Sequence, residues 1–149
     1  MNSSKNALLF KVDTMVLVVV TGSNGFIGTN ICNKMLSLQP EDLGFNKQAK
    51  KSFSNFDKVD ANDFIKVIGT DLPESLERET AKRFIGSARY SYYDYEKFLD
   101  ALEKKTIAPD LIIHNGACSS TTETDKNIFA KLNLNYSKSL WNYCAENQI

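Results

Sequence analysis

The chain reads MVLVVVTGSNGFIG from Met15 to Gly28, and this stretch decides the fold. Residues 15–20 are a continuous apolar run rich in valine, typical of a strand buried on both faces of a parallel sheet. After the glycines, apolar side chains recur every three or four residues, which predicts an amphipathic helix. They are Ile27, Ile31, Met35 and Leu38. Strand, glycine turn and helix in this order predict the start of a doubly wound α/β domain.

Further strands and helices are predicted to alternate along the rest of the chain. Strands are expected at residues 64–70, 89–93 and 110–114, and helices at 74–83, 96–105 and from about Asp125 onward. This alternation predicts a Rossmann-type doubly wound parallel sheet of about four strands, in the order 3-2-1-4. The chain ends where a fifth strand is expected, so β-strand 110–114 would be an open edge at which the chain could self-associate.

We expect one domain, because the chain has 149 residues, of which 42% are hydrophobic. Residues 1–14 are predicted to be an extension, residues 15–149 an incomplete dinucleotide-binding domain, and residues 39–62 a polar insertion. The 18 basic and 18 acidic residues balance, which argues against a nucleic-acid partner. No apolar run approaches the ~20 residues of a membrane-spanning helix, so no membrane partner is expected.

Three cysteines, Cys32, Cys118 and Cys144, are widely spaced and form no CxxC pair. This pattern argues against a disulfide framework or a zinc site. We therefore predict no metal and a reducing, cytoplasmic location.

The glycines of TGSNGFIG have the spacing of a phosphate-binding turn between a strand and a helix. Gly22 would make the tight turn, Gly25 would let a pyrophosphate approach the backbone, and Gly28 would let helix and strand pack closely. The N–H groups of the helix N-terminus would hold the anion. A glycine turn without a ligand is the alternative interpretation.

An acid at the end of the second strand would bind the adenosine ribose of a dinucleotide. Asp71 has this position, and the insertion explains why it comes later in the sequence than such an acid usually does. A strand-end Asp is also a common turn residue. Arg78 could neutralise a 2′-phosphate, but it lies in a charged run that could equally be a solvated face. Asp71 favours NAD and Arg78 favours NADP, so the cofactor is predicted as NADP or NAD.

The segment His114-Asn115-Gly116-Ala117 ends the fourth strand at the ligand-binding edge of the sheet. His114 and Cys118 are interpreted as packed side chains, because neither has an identifiable catalytic partner. Asn133 lies in the apolar stripe of the long helix, where it could contact either the sheet or the cofactor.

At these motifs the chain resembles the extended short-chain dehydrogenase/reductases, which include the NAD-dependent epimerases and dehydratases. Within them it is most similar to the ADP-glycero-manno-heptose 6-epimerases of lipopolysaccharide-core synthesis. TGxxGFIG marks the broad group, and HNGACSSTTE from His114 to Glu123 looks like the HEGACSSTTE run of these epimerases. The resemblance covers residues 15–38 and 64–149. It departs at Asn115, where the family has Glu, and in the insertion.

The resemblance implies the amino-terminal, NAD(P)-binding part of an epimerase that inverts C-6 of the heptose in ADP-heptose by transient oxidation. It implies contacts of the glycine turn with the pyrophosphate, of Asp71 and Leu72 with the adenosine ribose, and of the loop after the fourth strand with the nicotinamide side. Asn133 would support the cofactor. The full set is Gly22, Gly25, Phe26, Ile27, Gly28, Asp71, Leu72, Arg78, Asn115, Gly116, Ala117, Cys118, Ser119 and Asn133.

No catalytic residue is predicted in this chain. The family places its Tyr-x-x-x-Lys base after a fifth strand, whereas Tyr93 and Lys97 match the spacing before the fourth strand and are interpreted as a chance match. A nucleotide sugar would bind only if the missing half were supplied, so activity of the chain alone stays open. The alternatives are another nucleotide-sugar epimerase or dehydratase, and an inactive remnant or dinucleotide-binding module.

Overall fold

A four-stranded parallel sheet forms the centre of the computed structural model, which describes residues 15–43 and 64–149. The strands are β1 (Met15–Thr21), β2 (Phe64–Asp71), β3 (Tyr90–Asp94) and β4 (Leu111–His114), in the order β3-β2-β1-β4. The predicted fold class and strand order are confirmed. The predicted extension 1–14 and most of the insertion 39–62 lie outside the described residues, and the domain boundaries stay a prediction.

Helices follow the strands on both faces of the sheet. They are α1 (Phe26–Ser37), α2 (Glu79–Lys82), α3 (Tyr95–Glu103), α4 (Lys126–Phe129) and α5 (Tyr136–Asn147), with short 3₁₀ turns at Pro40–Leu43 and Pro73–Glu77. The predicted helix 74–83 is therefore a 3₁₀ turn followed by one short α-helix. The predicted long helix is present, but a π-helical stretch, Ala130–Asn135, joins α4 to α5.

Strand β1 is one of the two interior strands of the sheet and contributes side chains to both hydrophobic cores. Leu17 and Val19 point to one face, where they pack with Phe98 of α3 and Leu140 of α5. The other face carries Val16, Val18 and Val20, which pack with Cys32 of α1. A side-chain period of two on a strand covered on both faces explains why its sequence is continuously apolar.

The strand order reverses between β1 and β4, and this reversal creates the site. The chain passes from β1 to β2 on one side, whereas β4 lies on the other side of β1, with Thr21 opposite both Thr70 and His114. In open α/β sheets a crevice forms at the carboxyl ends of the strands at such a point. Among the described residues β4 pairs with β1 alone, and the predicted self-association at this edge stays a prediction.

No helix in residues 15–43 and 64–149 has the length and hydropathy needed to cross a membrane.

Candidate functional site

A cleft of about 390 Å³ opens at the carboxyl edge of the sheet, above the ends of β1, β2 and β4. Most of the predicted site residues line it: Gly22, Gly25, Phe26, Ile27, Asp71, Leu72, Arg78, Asn115, Gly116, Ala117 and Ser119. Gly28, Cys118 and Asn133 lie outside its lining. The lining also includes Thr21, Thr70, Tyr95, Leu132 and Tyr136, which were not predicted from the sequence.

Two of the three motif glycines are required by the fold itself. Gly22 has φ +67°, and a Cβ on it would lie 2.9 Å from the Cα of Gly116. A Cβ on Gly28 would lie 2.0 Å from the carbonyl oxygen of Gly22. At Gly25, by contrast, the nearest atom to an added Cβ is that same oxygen at 3.4 Å, an ordinary contact. The fold does not require a glycine at position 25, and its missing side chain leaves space on the cleft side.

The N-terminus of α1 offers free N–H groups to the cleft. Its first intrahelical bond runs from Thr29 N to Gly25 O at 3.0 Å, so the N–H groups of Phe26, Ile27 and Gly28 have no acceptor among the described residues. No side chain caps the helix, and its first turn contains no acid. These N–H groups, at the positive end of the helix dipole, form a site for an anion.

The Asp71 carboxylate connects the glycine turn to the end of β2 by hydrogen bonds. Its Oδ2 accepts from Asn24 N at 2.9 Å, and its Oδ1 accepts from Leu72 N at 2.8 Å. The Asn24 side-chain amide donates to Ser75 Oγ at 2.7 Å, and the Asn24 backbone carbonyl accepts from the Thr80 hydroxyl at 2.6 Å. Each carboxylate oxygen keeps a further lone pair that a ribose hydroxyl could use. The same acid therefore shapes the turn and lines the cleft.

Arg78 lines the cleft on the Asp71 side, and its side chain is exposed. The Tyr-x-x-x-Lys match lies elsewhere: Tyr93 is the penultimate residue of β3, and the Lys97 ammonium pairs with the Asp94 carboxylate at 3.0 Å. Neither Tyr93 nor Lys97 lines the cleft. The interpretation of the match as a coincidence of spacing stays a prediction.

A network of hydrogen bonds joins β1 to the loop after β4, and its donors and acceptors fix where each proton lies. The Thr21 oxygen accepts from Asn115 N at 2.9 Å and Gly116 N at 2.8 Å, so its own proton is left for His114 Nδ1 at 2.7 Å. Nδ1 is then an acceptor, and the imidazole is neutral with its proton on Nε2. This proton is donated to Ser137 Oγ at 2.8 Å. Both ring nitrogens of His114 are thus hydrogen-bonded within the fold, but the residue is exposed at the end of β4 rather than packed as predicted.

Asn133 holds the same loop from the π-helical stretch. Its Oδ1 accepts from Cys118 N at 2.7 Å, and its Nδ2 donates to Cys118 O at 3.1 Å. The amide therefore pairs with the backbone of Cys118 as a neighbouring strand would. This geometry gives Asn133 a supporting role, and a direct contact with a cofactor stays a prediction. All three cysteines are free.

Residues 18–149 match the model of the NAD dependent epimerase/dehydratase family. The chain belongs to this family. Crystal structures of UDP-glucuronic acid 4-epimerase from Bacillus cereus are similar to this chain. The complex with NAD is 18% identical at a TM-score of 0.51, and the complex with UDP-glucuronic acid and NAD is 18% identical at 0.54. Each match covers 87% of this chain and 36% of the solved chain. At this identity the likeness shows the fold alone.

The partly desolvated imidazole of His114 makes the stability of the fold depend on pH. Burial lowers the pKa of His114 from its ordinary value of 6.5, and a second proton on Nδ1 would face the saturated Thr21 oxygen. The folded chain binds this proton less readily than the unfolded chain. The neutral imidazole of His114 therefore contributes its full stabilisation above about pH 6.5. This contribution is lost as the pH falls through the lowered pKa.

We predict that His114→Gln removes this pH-dependent part of the folding stability. Urea unfolding from about pH 7.5 to 5.5 should show a steeper loss of stability for the wild type than for the variant, because only the wild type carries the imidazole. Parallel pH profiles for the two proteins would contradict the neutral, acceptor role of Nδ1.

Proposed function

We propose that this chain is the NAD(P)-binding part of a nucleotide-sugar epimerase. One observation carries the proposal: the uncapped N-terminus of α1 opens into the cleft beside Gly25, with Asp71 at one side. A dinucleotide needs an anion site for its pyrophosphate and an acceptor for its ribose hydroxyls, and these two features offer both. Membership of the epimerase/dehydratase family supports the sugar chemistry.

Each part of the cleft would hold one part of the cofactor. The turn from Gly22 to Gly28 would surround the pyrophosphate, while Asp71, Leu72 and Arg78 would surround the adenosine ribose. The loop of Asn115, Gly116, Ala117, Cys118 and Ser119 would border the nicotinamide ribose, with Asn133 supporting its backbone. The bound nicotinamide would supply hydride transfer, and the residues of this chain would orient it and fix its position.

The finer proposal is an ADP-heptose 6-epimerase that uses NADP. The run from His114 to Glu123 supports the heptose assignment by resemblance, and the exposed Arg78 guanidinium beside the cleft supports a 2′-phosphate. The chain matches 36% of the length of the two solved epimerases, so the activity of a whole enzyme is part of this proposal. A cytoplasmic location also stays a prediction.

Calorimetry with NAD, NADP and ADP-ribose tests the cofactor proposal. We predict that Gly25→Val weakens all three by at least about tenfold, because a branched side chain occupies the phosphate approach. Its unfolding midpoint should stay close to that of the wild type, since a Cβ at this position makes only an ordinary contact. Arg78→Ala should weaken NADP more than NAD.

Arg83→Ala is the matched control, because Arg83 is exposed on the same segment but does not line the cleft. Its affinities should equal those of the wild type. Unchanged affinity in Gly25→Val would remove the pyrophosphate assignment, and equal losses of NAD and NADP in Arg78→Ala would argue against a 2′-phosphate contact.

A coupled assay on ADP-heptose tests the substrate proposal. We predict no turnover by the 149-residue chain alone, because Tyr93 and Lys97 lie outside the cleft. Turnover should appear when a fragment carrying a fifth strand and the Tyr-x-x-x-Lys helix of a heptose epimerase is added. Cofactor binding without turnover in both arms would favour a dinucleotide-binding module, and turnover by the chain alone would refute the chance-match interpretation.

A further inference from the structure

Asn24, in the middle of the glycine turn, is 2% exposed, and residues outside the turn bind its backbone on both sides. Its N–H donates to the Asp71 carboxylate at 2.9 Å, and its carbonyl accepts from the Thr80 hydroxyl at 2.6 Å. Asp71 lines the cleft, whereas Thr80 does not and lies 56 residues from Asn24 in sequence. Any effect of Thr80 on a ligand in the cleft must therefore pass through Asn24.

The Thr80 hydroxyl fixes the peptide unit between Asn24 and Gly25. A peptide unit is planar, so a fixed carbonyl also fixes the direction of the N–H group on its other side. The carbonyl of this unit accepts from Thr80, and its N–H donates to Gly22 O at 3.1 Å. One hydrogen bond comes from the turn itself, and the other comes from Thr80.

This peptide unit directly precedes the free N–H groups of α1. Gly25 is the N-cap of the helix, with φ −77° and ψ 171°, and no side chain caps the N–H groups that follow it. Glycine has more backbone freedom than any other residue, so a turn that contains it depends on outside contacts to keep one conformation. Thr80 provides such a contact at the residue before the N-cap.

The segment that carries Thr80 is itself held by backbone hydrogen bonds. Arg78 N donates to Ser75 O at 3.1 Å, and Ala81 N donates to Arg78 O at 3.0 Å. Ser75, which is 1% exposed, also accepts from the Asn24 side-chain amide at 2.7 Å. The segment is thus bound to Asn24 at two points, which makes it a firm support for the turn.

We propose that Thr80 is a positioning residue of the pyrophosphate turn, which acts through Asn24 and touches no part of the ligand. The inference rests on the proposed function, in which the N–H groups of α1 bind the pyrophosphate. Without the Thr80 hydroxyl, the peptide unit before Gly25 samples further conformations, and only part of the population can bind. Affinity then falls although every residue that lines the cleft is still present.

Two substitutions at position 80 separate the hydroxyl from the rest of the side chain. Thr80→Val removes the hydroxyl and keeps a β-branched side chain, whereas Thr80→Ser keeps the hydroxyl. We predict that Thr80→Val weakens ADP-ribose and NAD by about three- to tenfold in calorimetry, as the loss of one hydrogen bond implies. Thr80→Ser should bind both ligands like the wild type, because it donates the same bond.

Thr106→Val is the matched control. The Thr106 hydroxyl also donates to a backbone carbonyl, Ala101 O at 3.2 Å, but neither residue lines the cleft. This variant should lose stability to urea, because it loses a comparable hydrogen bond, and keep the wild-type affinity for ADP-ribose. Equal losses of affinity in Thr80→Val and Thr106→Val would indicate a general effect of lower stability and would overturn the inference.

Hydrogen exchange of the ligand-free chain tests the positioning step separately. We predict that Thr80→Val speeds exchange of the Gly25 amide by a larger factor than exchange of the β1 amides, because the turn loses a local contact. Thr80→Ser should keep the wild-type rates. Equal factors at Gly25 and β1, or unchanged ADP-ribose affinity in Thr80→Val, would refute the positioning role alone. If the wild type binds neither ADP-ribose nor NAD, the proposed function is wrong, and the role of Thr80 is wrong with it.

Discussion

The close approach of two backbones, at Gly22 and Gly116, sets the geometry of the site. A Cβ on either glycine would lie 2.9 Å from a backbone atom of the other. The Thr21 hydroxyl oxygen also accepts hydrogen bonds from the backbone N–H groups of Asn115 and Gly116. This contact holds the end of β1 against the loop after β4 at the point where the strand order reverses. The glycine turn, the N-terminus of α1 and the β4 loop all take their positions from it.

A second constraint joins the anion site to the acidic side of the cleft. The Asp71 carboxylate accepts from Asn24 N within the glycine turn, and Asn24 is itself held by Ser75 and Thr80. Displacement of the segment after β2 would therefore displace the turn. In the proposed function, the groups that hold the pyrophosphate and the ribose are thus one connected unit, which is the preorganisation that binding of a flexible dinucleotide requires.

Local patterns were enough to predict the strands, the glycine turn and Asp71, because a buried parallel strand and a phosphate-type turn have strong sequence signals. Other residues of the cleft lining, such as Phe26, Leu72 and Ser119, were implied only by the family resemblance. The contacts of Thr21, Asn24, Thr70 and Tyr136 were not predicted. These residues are polar or aromatic side chains whose partners lie far away in sequence, as Thr21 and Asn115 show, so no local period marks them. The π-helical stretch was also missed, since the apolar stripe of α4 and α5 continues through it.

The central claim is that a dinucleotide lies across the carboxyl edge of the sheet, with its pyrophosphate on α1. Amide chemical shifts of the ¹⁵N-labelled chain, recorded during titration with ADP-ribose, test it most directly. We predict the largest changes at the amides of Phe26, Ile27 and Gly28, with smaller ones at Leu72 and Gly116. A second groove, between α3 and α5, is lined by Glu96, Asp100 and Lys131. Changes confined to that groove, with the α1 amides unmoved, would contradict the claim.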